Sequence, residues 1–450
     1  MIEPREQPRR APAGPPADYF HLRTQWLQYR SQLFDHGTGL PTLPAIFDDI
    51  RRAVEEKGAV FIIYVDLGRE NSVEETWGWQ VYDSILKDFV DTIKRVKSSI
   101  LPPQAVLSLV NVRGDEFLLF ITPPERREQQ TAFRSEMEQL TQEFAGALDE
   151  ELARMPTTTG VRQLHLATGR SFVMADPMQR LERQLYKAIG EARQQLDRKI
   201  ERDEVRLRAV LKKIISERSV RTVYQPIVYL EDGRILGYEA LTRGPENSHF
   251  KNSESLFRFA DRTDLGVELD RVCRETAVMT ASTQASQRLF LNTSALAITR
   301  PDFIDDHFIT LIKDKGIPNK NIVFEITERV KIEEWETFKQ IITQLRQHRF
   351  AIAIDDMGAG YSSLQSIAEI EPEFLKFDMS LVHNIHNSLI KQDLCKVLLT
   401  LSEKLGAPII AEGVETNEEY SLLRSFGVKL GQGNFFLPPG QMGRPLNKFL

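Results

Sequence analysis

Eight short apolar stretches follow one another between residues 221 and 436, and helix-length sequence follows most of them. They are RTVYQPIVYL, ILGYEALTR, RLFLNTS, NIVFEITE, FAIAIDDM, EFLKFD, PIIAEGVE and KLGQGNFF. The first two are joined by EDGR, whose Asp232-Gly233 is a hairpin signal, so the first strand should run antiparallel to the second. The others read as strand–helix units, which build parallel sheets. Eight strands in about 230 residues predict a modified (β/α)8 barrel with one antiparallel strand.

Nearly every one of these strands ends in a carboxylate, an amide or a lysine. Gln225 lies on the first, Glu239 ends the second and Asn292 the third. Glu325 and Glu328 end the fourth, Asp355 and Asp356 the fifth, Lys376 and Asp378 the sixth, and Glu412 and Glu415 the seventh; Gln432 sits on the eighth. Turns at strand ends favour polar residues, which explains one or two acids but not a ring of them. In a barrel of this type the C-terminal strand ends converge on one mouth. A cluster of acids there repels itself or takes up protons unless cations compensate it. Oxygen ligands without His or Cys favour Mg²⁺, Mn²⁺ or Ca²⁺ over zinc. Adjacent Asp355 and Asp356 suit two metals about 3.5–4 Å apart, the spacing of in-line displacement at phosphorus. Lys376 would supply a fixed cation beside the attacking water or a phosphate oxygen. Residue chemistry alone thus points to metal-dependent phosphoester hydrolysis.

The preceding sequence has a different texture. Residues 1 to 18 carry most of a proline-rich start without an apolar core, and read as a disordered tail rather than a signal peptide. A helix is expected from about Tyr19. AVFIIYVDL (59–67) reads as a buried strand, SILKDFVDTIKRV as an amphipathic helix, and residues 105–122 as two strands joined at Arg113-Gly114-Asp115. From Leu181 to Ile214 apolar residues recur in steps of three, four or seven, predicting one long helix. Its first part either packs on the domain before it or begins a connector that transmits position. The expected divisions are a domain at 19–195, a helical connector at 196–217 and the barrel at 218–450. Net charge is −6 and the basic run from Arg206 to Arg221 is interleaved with acids, so neither nucleic acid nor a membrane is an expected partner. Cys273 and Cys395 are far apart and read as buried thiols of a reducing, cytoplasmic compartment.

The segment YQPIVYLEDGRILGYEALTRGP resembles the start of the EAL family of cyclic di-GMP phosphodiesterases, and FLNTS, FEITE, DDMGAGYSSL, LKFD, AEGVET and GQGNFF follow in the family's order. The resemblance covers about residues 218 to 450. It implies that Glu239, Asn292, Glu325 and Asp355 hold a first Mg²⁺ or Mn²⁺, and Asp355, Asp356 and Glu412 a second. It casts Lys376 as the residue that orients the hydrolytic water and Glu328 as the anchor of the loop after the fifth strand. Gln225, Leu241, Arg243, Asp378, Glu415 and Gln432 resemble positions that line or support the nucleotide site. The implied reaction opens cyclic di-GMP to linear pGpG, and the implied assembly is a homodimer through this domain. Met357 and Ala359 stand where the family usually has Phe and Thr. A receptor that binds the nucleotide without cutting it is the alternative reading.

Residues 33 to 195 resemble, more weakly, a GGDEF (diguanylate cyclase) domain, an α+β nucleotidyl-cyclase-like fold. Asp66 matches a metal-binding aspartate and RGDEF (113–117) stands in the signature hairpin. Arg113 replaces a glycine where backbone must approach phosphate. Gly68 replaces the second acid, Glu74 an Asn and Ile189 a phosphate-binding Lys, while Asp83 and Arg193 remain. The inhibitory R-x-x-D site would fall at Gln104 and Leu107 and is absent. The resemblance therefore implies a degenerate domain, either regulatory or a relic scaffold, with residual cyclase activity and GTP binding left open.

Overall fold

The computed structural model describes residues 33–67, 79–110, 115–123, 130–154, 167–327, 335–357 and 370–447. The chain divides into two compact units, Met1–Val205 and Arg206–Leu450.

The first unit is built on β1 (Ala59–Asp66), β2 (Val106–Leu109), β3 (Glu116–Ile121) and β4 (Ala167–Met174), with α1 (Leu43–Lys57), α2 (Trp79–Ile100) and α3 (Gln130–Arg154). The sheet order is β2-β3-β1-β4, antiparallel throughout. Every residue of β1 is buried, because successive side chains serve two different cores. Phe61, Ile63 and Val65 pack with Phe89 and Ile93 of α2 and Phe144 of α3. Val60, Ile62 and Tyr64 pack with Ile46 and Ile50 of α1. The long helix α4 (Leu181–Ser216) is continuous, and Leu185, Ala188, Ile189, Ala192 and Leu196 from its first half join that second core. This is the α+β unit expected ahead of the barrel. The helix expected from Tyr19 and the turn at Arg113-Gly114 lie outside the described residues, as do Gly68 and Glu74.

The second unit closes into a barrel of eight strands. They are β5 (Arg221–Tyr229), β6 (Ile235–Arg243), β7 (Arg288–Thr293), β8 (Ile322–Thr327), β9 (Ala351–Met357), β10 (Phe374–Phe377), β11 (Ile409–Ala411) and β12 (Leu430–Gly431). Strand β5 pairs antiparallel with both β6 and β12, and all other pairs are parallel. Around them stand α5 (Ser253–Arg262), α6 (Gly266–Thr280), α7 (Ala295–Ile298), α8 (Asp306–Asp314), α9 (Trp335–Gln347), α10 (Met379–Val382), α11 (Leu389–Leu405) and α12 (Asn417–Ser425).

One apolar layer fills the barrel: Ile227, Phe290, Val323, Ala351, Ala353, Phe374, Ile410 and Leu430. Burying each of the larger side chains contributes about 1.5–3 kcal/mol, and the Phe290 and Phe374 rings meet edge to face at 5.3 Å. Their strand neighbours, such as Leu289, Leu291, Leu375 and Phe377, point outward into the larger core under the helices. Both cysteines are free and buried. No helix among the described residues is long and apolar enough to cross a membrane.

Candidate active site at the barrel mouth

Side chains two residues apart on a strand share a face. Adding two to the apolar layer gives Asn292 from Phe290, Glu325 from Val323, Asp355 from Ala353, Lys376 from Phe374, Glu412 from Ile410 and Gln432 from Leu430. On the antiparallel β5 the count runs backwards, from Ile227 to Gln225. Period-two alternation therefore builds a polar layer directly above an apolar plug. Glu239 corrects the sequence reading, since it lies in mid-strand. Strand β6 leaves β7 at Ala240 but stays paired with β5 to Arg243, so Glu239 sits near the barrel's rim without ending its own strand.

Four carboxylates converge on the Lys376 ammonium. Its Nζ lies 2.5 Å from Glu412, 2.9 Å from Glu325, 3.2 Å from Asp355 and 3.5 Å from Glu239. Lys376 is 1% exposed, which a lone ammonium could not sustain. Burial acts to lower its pKa, but Asp355, Glu239, Glu325 and Glu412 outweigh burial and raise it well above the ordinary value. Burial raises Glu325, and the neighbouring charge of Glu239 adds to it. Burial likewise pushes Glu412 up. Glu239 goes the other way: burial opposes ionisation, but the Lys376 ammonium and hydrogen bonds from Gln432 and Asn292 carry its pKa below the ordinary range. Asn292 Nδ2 donates to Glu239 Oε1 at 2.7 Å, and Gln432 Nε2 donates to Glu239 Oε2 at 2.5 Å and to Gln225 Oε1 at 3.0 Å.

One ammonium balances four acids incompletely. Both oxygens of Glu325 are buried, and the Lys376 ammonium, 2.9 Å from Oε1, is the counter-charge the structure gives them. Among the described residues no three acids stand in a ready-made metal cage. The donor set is nonetheless all oxygen, with an under-satisfied buried carboxylate at its centre, and this fits a hard divalent cation.

Arg243, Leu241, Asp378 and Glu415 make their described contacts outside this cluster. Arg243 donates to its neighbouring Thr242 carbonyl at 2.8 Å, and Leu241 pairs with Val223 across β5. Asp378 caps α10 by accepting from the Ser380 N–H at 2.9 Å. Glu415 is exposed on the loop after β11. Glu328 lies outside the described residues, and so does the side chain of Asp356.

Two supporting carboxylates escaped the sequence reading. Asp270, buried on α6, accepts from Arg274 Nε at 2.6 Å and from the Ser294 N–H at 2.9 Å, two residues past Asn292. Glu419, buried in α12, accepts from three backbone N–H groups. The T-x-x-E spacing of Thr416 and Glu419 was a signal for the second.

Comparison with known proteins bears on the same residues. The model of the EAL domain matches residues 207–439. The bifunctional diguanylate cyclase/cyclic di-GMP phosphodiesterase MucR of Pseudomonas aeruginosa is 24% identical over 430 residues, 92% of this chain and 60% of MucR. The probable cyclic di-GMP phosphodiesterase PdeG of Escherichia coli is 27% identical over 238 residues, 51% of this chain and 46% of PdeG. The chain thus spans less than two thirds of either relative. The EAL enzyme Bd1971, solved with cAMP and cyclic di-GMP bound, aligns over 74% of this chain and 80% of its own at 22% identity with a TM-score of 0.50, a likeness of fold.

Proposed function

Because the chain belongs to the EAL domain family, we propose that its barrel hydrolyses cyclic di-GMP to linear pGpG with the aid of Mg²⁺ or Mn²⁺. The observation that carries this reading is the polar layer itself: Glu239, Asn292, Glu325, Asp355 and Glu412 presented around one buried lysine. Glu239, Glu325 and Asp355, with the Asn292 amide oxygen, would hold one cation, and Asp355, Asp356 and Glu412 a second. Such cations, when bound, neutralise phosphoryl oxygens and make water acidic enough to attack at neutral pH.

The chain's own residues supply the rest. Lys376 is fixed by its four acids and stays protonated, so it offers a preorganised positive charge to a water or a phosphate oxygen. Gln432 and Asn292 hold Glu239 ionised and in one orientation. The apolar layer beneath closes the site to water from below. The water oxygen forms a bond to phosphorus, the bond to the 3′ oxygen breaks, and that oxygen takes up a proton. Arg243, Asp378 and Glu415, around the mouth, are the groups assigned to the nucleotide.

The first unit is assigned a regulatory role. Asp66 at the end of β1 and Glu116 at the start of β3 are cross-strand neighbours, and Arg193 pairs with Glu116 at 3.1 Å instead of standing free for a phosphate. A homodimer through the barrel is supported by α11, where Ile390, Leu394 and Val397 are 75%, 45% and 66% exposed on successive turns.

Product analysis tests the function: full-length protein with cyclic di-GMP, with and without Mg²⁺, Mn²⁺ and GTP. Release of pGpG that needs metal and disappears in a folded Glu239→Ala variant is the expected result; no turnover with either metal overturns it. One observation favours a non-cutting receptor, namely that Lys376 already stands where the acids converge. Tight binding in chelator, without hydrolysis once metal is added, would select that reading.

A further inference from the structure

Glu419 is fully buried in the first turn of α12, and its two oxygens serve different loops. Oε2 accepts from the N–H groups of Glu415 at 2.9 Å and Thr416 at 3.1 Å, both on the loop after β11. Oε1 accepts from the Asn384 N–H at 2.8 Å, on the loop that follows β10 and α10. Thr416 Oγ1 accepts in turn from the Glu419 N–H at 3.2 Å, completing a capping box. A capping box needs only one acceptor oxygen of the glutamate. Here the second oxygen reaches another segment of the barrel.

The same two loops touch elsewhere. Gly413 has φ +64°, and a Cβ there would come within 2.5 Å of the Met379 Cβ. The Glu412 N–H also donates to the Phe377 carbonyl at 3.1 Å. One loop begins beside Lys376, the other carries Glu412, and these two groups form the shortest ion pair of the mouth, 2.5 Å. Asn384 accepts a left-handed backbone, φ +55°, to present its N–H to Glu419.

We propose that Glu419 is a positioning residue that locks the loop after β11 to the loop after β10 and thereby sets Glu412 against Lys376. It acts through backbone rather than through substrate. The carboxylate is essential to it, because an amide offers one acceptor oxygen and one NH₂, and only an acceptor can meet each loop's N–H. Burial acts to raise the Glu419 pKa, and the N–H groups of Glu415, Asn384 and Thr416 bring it below the ordinary range, so the bridge is charged at neutral pH. This inference deepens the phosphodiesterase reading, and only its kinetic arm rests on that reading.

The test compares Glu419→Gln with Thr416→Val in the full chain. Thr416→Val removes the ordinary cap and leaves both Glu419 oxygens bonded, whereas Glu419→Gln keeps the size and loses one acceptor. For Glu419→Gln, hydrogen exchange across residues 383–385 or 415–416 should quicken by about tenfold, the loss of one protecting bond. Its kcat on cyclic di-GMP should fall by roughly 10- to 100-fold with KM changed by less than about threefold, the signature of misplaced chemistry rather than weakened binding. Thr416→Val should lower the melting temperature by a few degrees and leave kcat within about threefold. Equal kcat losses in both variants would assign the effect to helix capping and overturn the proposal, as would unchanged exchange in Glu419→Gln. If the wild type cuts no cyclic di-GMP at all, the functional reading fails on its own, and the exchange arm still decides whether Glu419 joins the loops.

Discussion

Replacing Lys376 with Met tests whether the ammonium is the counter-charge of the barrel mouth. Met keeps most of the side-chain volume and removes the charge, so packing changes little. Between full charges, a contact of 2.5 to 3.5 Å corresponds to about 4 kcal/mol or more at an effective dielectric of 20, and burial works against that charge on Glu325 and Glu412. The cost of desolvating the lysine offsets most of that sum, and removing one member of a buried ionic cluster typically costs about 3–5 kcal/mol net. For a unit the size of Arg206–Leu450, 1 kcal/mol shifts the melting temperature by about 2–4 °C, so the barrel transition should fall by roughly 6–20 °C in chelator at neutral pH. The assay is thermal unfolding of the full chain followed by circular dichroism, with chelator and with Mg²⁺. Mg²⁺ should stabilise the variant more than the wild type, because the variant's acids have no other cation. A Lys376→Met barrel melting within about 2 °C of wild type in chelator would refute the electrostatic account.

The other predictions concern the shell around the mouth. Asp270→Asn weakens the buried pair with Arg274 and the hold on Ser294, and should cost about 3 kcal/mol of stability in denaturant unfolding. Leu394→Asp, on the exposed stripe of α11, should shift the chain from dimer to monomer in light scattering at unchanged melting temperature; a monomeric wild type removes the dimer reading. Glu419 has a folded pKa below its unfolded value, so its stabilisation is complete above the ordinary glutamate pKa of about 4.3 and disappears as pH falls through the lower folded value. The difference in melting temperature between wild type and Glu419→Gln should therefore be present at neutral pH and shrink below about pH 4.

Much of the barrel was legible because its signals are local. Alternation with period two is a property of each strand, and the Asp232-Gly233 turn fixes its hairpin within four residues. The strand-end positions of Asn292, Glu325, Asp355, Lys376 and Glu412, with Gln225 and Gln432 on their strands, pointed to one mouth; that alternation sets these seven above the apolar layer was visible only in the folded barrel. The first unit's central strand was legible for the same reason, as an apolar run too short for anything but a strand buried on both faces. Glu239 was read one step wrong, as a strand end, because where β6 parts from β7 depends on the partner strands and not on β6 itself.

What tertiary structure alone decided is which of those inward groups touch. Closure of β10 between β9 and β11 brings Lys376 within 3.5 Å of acids from β6, β8, β9 and the loop after β11, residues as many as 137 positions away. Sequence spacing carries no trace of such distances, since they follow from strand register and shear summed around the barrel. The same holds for Glu419: the T-x-x-E spacing announces a helix cap, and only the folding of two loops side by side gives its second oxygen to Asn384. Local pattern determined the chemistry available at the mouth, and closure determined which groups share charge there, because Coulomb and hydrogen-bond energies depend on separation in space.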